Sequence, residues 1–204
     1  MKQIIFATGN LDKMVEIREI LGDLKVPVYS MEEAGIEMEI EENGATFEEN
    51  ALIKARAAAS DAKGSDSYVL ADDSGLEIDY LNKGPGIYSA RYMGRDTSYR
   101  IKNQKLLERL KGVPDEKRTA RFVCAIAAVL PDGREITARG VIEGKIGYEE
   151  RGENGFGYDP IFYLPDMSTS TAQLSPDEKN AISHRGRALQ EMKKKLEEIC
   201  KQGN

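Results

Sequence analysis

The chain has no tryptophan, a single histidine, and two cysteines that form no CxxC pair. Without Trp, any stacking surface must come from nine tyrosines and five phenylalanines. The two cysteines, Cys124 and Cys200, are far apart in the sequence. That excludes a disulfide framework and a zinc cluster and points to a reducing compartment. Neither GxxxxGK(S/T) nor GxGxxG is present, so the two common phosphate-binding signatures do not apply. No apolar run approaches the length needed to cross a bilayer. The apolar run after Lys2 is too short for a secretory leader. The expectation is a cytoplasmic protein with no membrane partner. Positive charge is scarce: 29 Lys and Arg stand against 35 Asp and Glu, a formal net charge of -6. This disfavours long nucleic acid as a partner, since such binding needs basic surface to displace counterions. A small phosphorylated ligand is not disfavoured, because a few placed lysines can hold one.

What is present is a globular composition: 204 residues, 40% of them hydrophobic. A chain of this size buries about 70% of its unfolded surface and needs no staples. It reads as one domain, or two tightly joined lobes, over residues 1–204. No repeat, linker or low-complexity tract interrupts it. A strand is expected over Gln3–Ala7. A helix over Leu11–Leu21 follows, with Met14, Ile17, Ile20 and Leu21 on one face. A short strand near Val26–Tyr29 leads into an acidic, irregular arm. Thr46 and Glu49 form a capping box that starts the next helix. "YVLADDSGLEIDYL" reads as strand, turn, strand. A helix runs from about Ser98 to Leu110, and "RTARFVCAIAAVLPDGREITARGVIEGKI" is a hairpin turning at Pro-Asp-Gly. Ser175, Pro176 and Glu178 open the last helical region with a second capping box, and it breaks near "SHRG". The pattern predicts an α/β (mixed α+β) fold with a mixed central sheet flanked by helices.

Five stretches could carry chemistry, and each also has a plain structural reading. In "TGNLDK", Thr8 and Asn10 offer side-chain donors, Gly9 permits a close turn, and Lys13 adds charge at a helix start that already favours anions. It is equally an ordinary β–α turn with a capping Asn. In "LADDSGLEID", Asp72 and Asp73 are strand neighbours and face opposite sides. One can serve as a metal ligand or proton acceptor. The same letters are also turn chemistry. The acidic arm with Glu37, Glu39, Glu41 and Glu42 is either a solvated edge or the source of a second metal carboxylate. "RGENGFGYDPIF" sets three glycines around Phe156 and Tyr158, as a mobile aromatic loop or a loop plugging the core. "SPDEKNAISHRGRAL" holds His184, Arg185 and Lys179, as donors toward a carbonyl oxygen or as a charge-balanced helix face. Lys54 follows the acidic arm and could join Lys13 at a polyphosphate. Cys124, inside an apolar run, reads as a small core residue.

Taken together, "ATGNLDK", "TFEENALIKA", "ADDSGLEID", "GPGIYSARY", "GENGFGYDPIF" and "LSPDEKNAISHRGRAL" resemble the inosine triphosphate pyrophosphatase family. They run in family order from residue 7 to residue 189. The resemblance implies a long mixed sheet in two lobes with a nucleotide cleft, and a homodimer. It implies cleavage of ITP, dITP and XTP between the α and β phosphates, giving monophosphate and pyrophosphate, with Mg²⁺. Carried over by motif, Thr8, Gly9, Asn10, Leu11, Asp12 and Lys13 bind the triphosphate, with Lys54 as a further phosphate contact. Asp73 is the general base and a metal ligand, and Ser74 touches substrate. Phe156, Gly157, Tyr158 and Asp159 form the base pocket with Lys179, His184 and Arg185. The second metal carboxylate falls in the acidic arm, placed at Glu41 with Glu42 one register away. "YLNKGPG" departs from the family pattern by carrying Asn82 and Lys83 where a second glycine is common.

Overall fold

The computed structural model describes residues 3–62, 66–166 and 168–202. The chain divides into two units. Unit 1 comprises Met1–Asp73, Cys124–Gly140 and Arg185–Asn204; unit 2 comprises Ser74–Val123 and Val141–His184. Among the described residues the strands are β1 (Gln3–Phe6), β2 (Val28–Ser30), β3 (Ser67–Ile78), β4 (Gly84–Pro85), β5 (Thr119–Val129), β6 (Glu135–Ile146) and β7 (Phe162–Tyr163). The sheet order is β2-β1-β3-β5-β6-β7, with β4 paired to β3 off that path. β1 pairs parallel with both β2 and β3, whereas β4 on β3 and β7 on β6 are antiparallel. The sheet is therefore mixed, as expected. Five α-helices accompany it among the described residues: α1 (Leu11–Leu21), α2 (Phe47–Asp61), α3 (Tyr99–Arg109), α4 (Pro176–Ile182) and α5 (His184–Gln202).

In unit 1, Ile4 and Phe6 of β1 and Leu70 of β3 pack with Cys124, Ile126 and Ala128 of β5. Helix α1 covers them through Met14, Ile17 and Leu21, the stripe its sequence periodicity predicts. Helix α5 adds Ala188, Leu189, Met192 and Leu196, again at helical spacing. Its many Lys and Glu residues occupy the other positions of the helix. In unit 2, Leu76 and Ile78 of β3 meet Leu106 of α3, Phe122 of β5, and Ile142 and Ile146 of β6. Arg118 is 1% exposed, yet its guanidinium is satisfied. Nε donates to Ile146 O and Nη1 to Leu110 O, both at 2.7 Å, and Nη2 donates to Gly147 O. It ties the end of α3 to the end of β6 without a carboxylate partner among those bonds.

Two local expectations change. The Asp-Asp-Ser-Gly stretch is not a turn: β3 continues through it for 12 residues. Its carboxylates find partners on neighbouring elements, so the short polar side chains do not compete for their own backbone. At α2, Thr46 Oγ1 accepts the Glu49 N–H at 3.1 Å, as a cap should, but Glu49 Oε2 accepts from Ala45 N rather than Thr46 N. At α4 the box is reciprocal between Ser175 and Glu178, Pro176 is the first helical residue, and Ser183 breaks the path into α5.

Candidate active site

Unit 1 gathers charge where β1, α1, α2 and β3 meet. After β1, the Ala7 N–H donates to Leu70 O at 2.6 Å, and the chain turns through Thr8 and Gly9. Asn10 caps α1: its Oδ1 accepts the Lys13 N–H at 3.1 Å, and its own N–H donates to Thr8 Oγ1 at 3.2 Å. The remaining first-turn N–H groups are a ready anion site. Gly9 is exposed and a Cβ there would meet nothing within 4 Å. The fold itself does not demand glycine at this position; a closely approaching ligand would. Leu11 and Asp12 are exposed on the same turn.

Lys13 reaches across to β3. Its Nζ lies 3.0 Å from Asp72 Oδ1 and 2.8 Å from Oδ2. Arg185, at the start of α5, places Nη2 3.7 Å from the same carboxylate and bonds Glu16 of α1 through Nη1. Asp72 is 1% exposed. Burial opposes its ionisation, but the cations of Lys13, Arg185 and Lys54 outweigh that and hold its carboxyl well below the usual range. The next residue is different. Asp73 Oδ2 accepts from Asn50 Nδ2 at 3.0 Å, and Oδ1 lies 3.8 Å from Lys54 Nζ. Its carboxyl is raised above the ordinary value, mainly by burial, with Glu42 adding to the rise and Lys54 and Asn50 opposing it. Lys54 also bonds Glu42 Oε1 at 3.2 Å. Burial disfavours the Lys54 ammonium, yet the carboxylates of Asp72, Asp73 and Glu42 win and raise its proton affinity. Two adjacent aspartates are thus pushed in opposite directions, an arrangement that separates a fixed anion from a proton acceptor.

Unit 2 organises the glycine-aromatic loop around Asp159, which is 3% exposed. Asp159 Oδ2 accepts from Phe156 N at 2.9 Å and Lys179 Nζ at 2.7 Å, while Oδ1 accepts from Thr171 Oγ1 at 2.8 Å. Lys179 Nζ stands 4.9 Å from the Phe156 ring centroid. Gly155 has φ +72°, and a Cβ there would lie 2.3 Å from Asp159 Oδ2, so glycine is required twice over. Tyr158 is in the core of the unit; its hydroxyl donates to Ser89 O at 2.6 Å and its ring sits edge-on to Tyr99. His184 stacks on Phe122, with ring centroids 4.8 Å apart.

The model of the Ham1 family matches residues 4–195. The chain belongs to the Ham1 family. It is 50% identical to a dITP/XTP pyrophosphatase of Clostridium perfringens, over 98% of this chain and 100% of that one. It is 49% identical to the Bacillus subtilis protein of the same name, over 97% and 98%. A solved HAM1 protein from Coxiella burnetii superposes with a TM-score of 0.84 at 45% identity, covering 97% of this chain and 100% of that chain. The resemblance drawn from the six motifs agrees with this membership.

Of the residues singled out by sequence in this Ham1-family chain, Thr8, Gly9, Asn10, Lys13, Lys54 and Asp73 lie in the unit 1 cluster or on the turn leading into it. Phe156, Asp159 and Lys179 form a bonded group in unit 2, with Gly157 at φ +70° beside them and Ser74 half-buried on β3. The guanidinium of Arg185, which the resemblance assigns to the base pocket, contacts Asp72 and Glu16 in unit 1. Glu41 is exposed; its neighbour Glu42 is the arm residue that reaches Lys54. Among the described residues no three His, Cys, Asp or Glu side chains gather as a metal set. Glu42 and Asp73, sharing Lys54, nevertheless suit a hard cation that takes one or two carboxylates and completes its shell with phosphate oxygens. Sequence reading missed Asn50, Glu16, Thr171 and Asn103. Asn50 is held by the Gly44 N–H at 2.9 Å, which turns its amide N–H₂ toward Asp73. Asn50 and Glu16 stand four and three positions from Lys54 and Lys13 on their helices, a spacing that could have flagged them. Thr171, and Asn103 with its bond to Gly157 O at 3.2 Å, carried no local signal.

Proposed function

We propose that this chain hydrolyses non-standard purine nucleoside triphosphates (dITP, XTP and ITP) between the α and β phosphates, releasing monophosphate and pyrophosphate. The opposed environments of Asp72 and Asp73 carry this reading beyond family membership. Asp72 stays ionised and fixes Lys13 beside the α1 N-terminus, where the triphosphate binds. Asp73, with raised proton affinity and a set orientation from Asn50, takes a proton from the attacking water. Water oxygen bonds to phosphorus, the bridge between α and β phosphates breaks, and pyrophosphate leaves with the bridging electrons. Glu42 and Asp73 would hold Mg²⁺, which when bound would neutralise phosphate charge and make water more acidic. Lys54 and Lys13 offset the rest of the substrate's charge.

In unit 2, Phe156 offers a stacking face that any base accepts. Lys179 and His184 are the donors for the 6-oxo group of hypoxanthine and xanthine. Adenine presents an amine there, which leaves those donors unpaired. Arg185, engaged with Asp72 and Glu16, serves the phosphate end of the substrate. The functional form is a cytoplasmic homodimer. Exposed Tyr88, Met93 and Ile101 in unit 2 offer apolar surface for self-association, and light scattering measures the state directly.

The deciding experiment is pyrophosphate and orthophosphate release from ITP, XTP, dITP, ATP and GTP, with and without Mg²⁺. Metal-dependent pyrophosphate from the first three, with ATP and GTP nearly untouched, is expected. Orthophosphate release, or equal use of all five, overturns the reading.

A further inference from the structure

We propose that Lys54 is the resident counter-cation of the Glu42–Asp73 pair, and that its ammonium must leave that position before a divalent ion can occupy it. This rests on the metal reading above and extends it to the order and coupling of binding. Lys54 Nζ lies 3.2 Å from Glu42 Oε1 and 3.8 Å from Asp73 Oδ1. Its side chain is 12% exposed, against 28% for Glu42 and 8% for Asp73. The ammonium therefore stands between the two carboxylates, within ion-pair distance of each and largely out of water. A divalent ion shared by the same carboxylates competes for that space and repels the ammonium at close range, where screening is weak.

The backbone of α2 does not have to move for the exchange. Its N-terminus is fixed by the Thr46 cap, and Asn50 one turn before Lys54 is buried and bonded to Asp73. The lysine stem has four rotatable bonds, and rotation about them takes the ammonium elsewhere. In the free protein a displaced ammonium loses both carboxylates and gains little. With a triphosphate present it gains phosphate oxygens. Metal alone should thus bind weakly, and metal with nucleotide far more tightly, because the nucleotide receives the lysine that the metal displaces. The coupling is reciprocal: metal strengthens nucleotide binding by the same factor. Lys54 would then guard against capture of stray divalent ions by two partly buried carboxylates.

The test is direct binding of Mn²⁺, followed by electron paramagnetic resonance, with and without an ITP analogue whose α–β bridge oxygen is replaced by a methylene. In Lys54→Met and Lys54→Gln, nucleotide-free Mn²⁺ affinity should rise by about tenfold or more, the scale of removing one close like charge. Lys54→Arg keeps the charge and should stay near wild type. In the wild-type chain, Mg²⁺ alone at high concentration should shift the Lys54 ¹⁵Nζ resonance, identified by its loss in Lys54→Arg; this arm needs no neutral variant to fold. Unchanged or weaker Mn²⁺ affinity in the neutral variants, with Mn²⁺ still bound in the presence of the analogue, overturns this inference alone. Failure of the wild type to bind Mn²⁺ even with the analogue overturns the metal reading, and this inference falls with it.

Discussion

Asp72 and Asp73 are consecutive on β3, and their carboxylates are held by different helices. Asp72 takes both Lys13 contacts, at 2.8 and 3.0 Å, from α1. Asp73 takes Asn50 and Lys54, at 3.0 and 3.8 Å, from α2. Strand alternation gives the two side chains different first partners, while Lys54 acts electrostatically on both.

Replacing the two should therefore fail in different ways. Asp73→Asn keeps shape and packing but removes the proton acceptor. Turnover of ITP should fall by about 10²–10⁴, the usual scale of general-base loss, with affinity for a non-hydrolysable analogue retained. Near-normal turnover would remove Asp73 from the base role. Asp72→Asn leaves Lys13 and Arg185 without their buried anion. It should cost about 3–5 kcal/mol of folding stability, measurable by urea unfolding.

The same pair separates in its response to pH. Asp72 has a depressed carboxyl, so its contribution to stability is complete above the ordinary value of 3.8 and is lost as pH falls below it. Asp73 has a raised carboxyl, so it costs stability at neutral pH, and that cost is relieved as pH falls through its folded value. The loss of stability below about pH 4 should therefore depend on Asp72, and Asp72→Asn should flatten it. In kcat/KM, the acid limb should fall above the ordinary carboxylate value, because Asp73 must be ionised to accept a proton. An acid limb unaltered in the residual activity of Asp73→Asn would assign that limb to another group.

Gly9 offers a sharper probe of ligand approach. A Cβ at this position meets nothing in the protein, and the residue does not need a left-handed backbone. Gly9→Ala should leave stability within about 0.5 kcal/mol of wild type, as for a surface change, while raising KM for ITP. Unchanged KM would place the phosphates elsewhere.

In the aromatic loop, Asp159→Asn removes the charge that Lys179 Nζ meets at 2.7 Å in a buried setting. The loop loses the anchor that also holds Phe156 N and Thr171. KM for ITP should rise by about tenfold, with a smaller change in kcat, because uniform binding is lost rather than chemistry. A fall in kcat alone would place Asp159 in the reaction step instead.

Arg118 predicts a purely structural effect. Arg118→Met removes three charge-assisted bonds, to the Ile146, Leu110 and Gly147 carbonyls, each worth about 1.5–3 kcal/mol. Thermal unfolding should shift strongly downward, while the kcat of protein that remains folded stays near wild type.

Much of this was readable from local sequence. The cap at Asn10, the stripe of Met14, Ile17 and Leu21, and the Ser175–Glu178 box are short-range features that tertiary contacts do not override. β3 was misread because Asp-Asp-Ser-Gly has turn chemistry locally, and only its pairing with β5 and its contacts with Lys13, Asn50 and Lys54, 19 to 59 residues away in sequence, show it as a strand. The grouping of Thr8, Gly9, Asn10 and Lys13 was legible because one turn and one helix start carry them. The destination of Arg185 was not, since nothing in "SHRG" says that His184 stacks on Phe122 while the next side chain turns to Asp72. The arm carboxylate was placed at Glu41 with Glu42 one register away, because an irregular arm has no periodicity from which to read direction; in the structure Glu42 is the one that contacts Lys54.

Cys124 is 0% exposed on β5, and burial, with Asp72 nearby, pushes its thiol up to about 12. At neutral pH it is neither a thiolate nor within reach of a reagent. Cys200, half-buried on α5, is the more accessible of the two thiols. Slow alkylation therefore runs as a stopwatch on unit 1. The first modification marks the reagent's own pace, and the second elapses only when the strand beneath the charged cluster opens. Substrate that binds this cluster should lengthen the interval, so occupancy becomes readable by mass alone, with no label and no turnover.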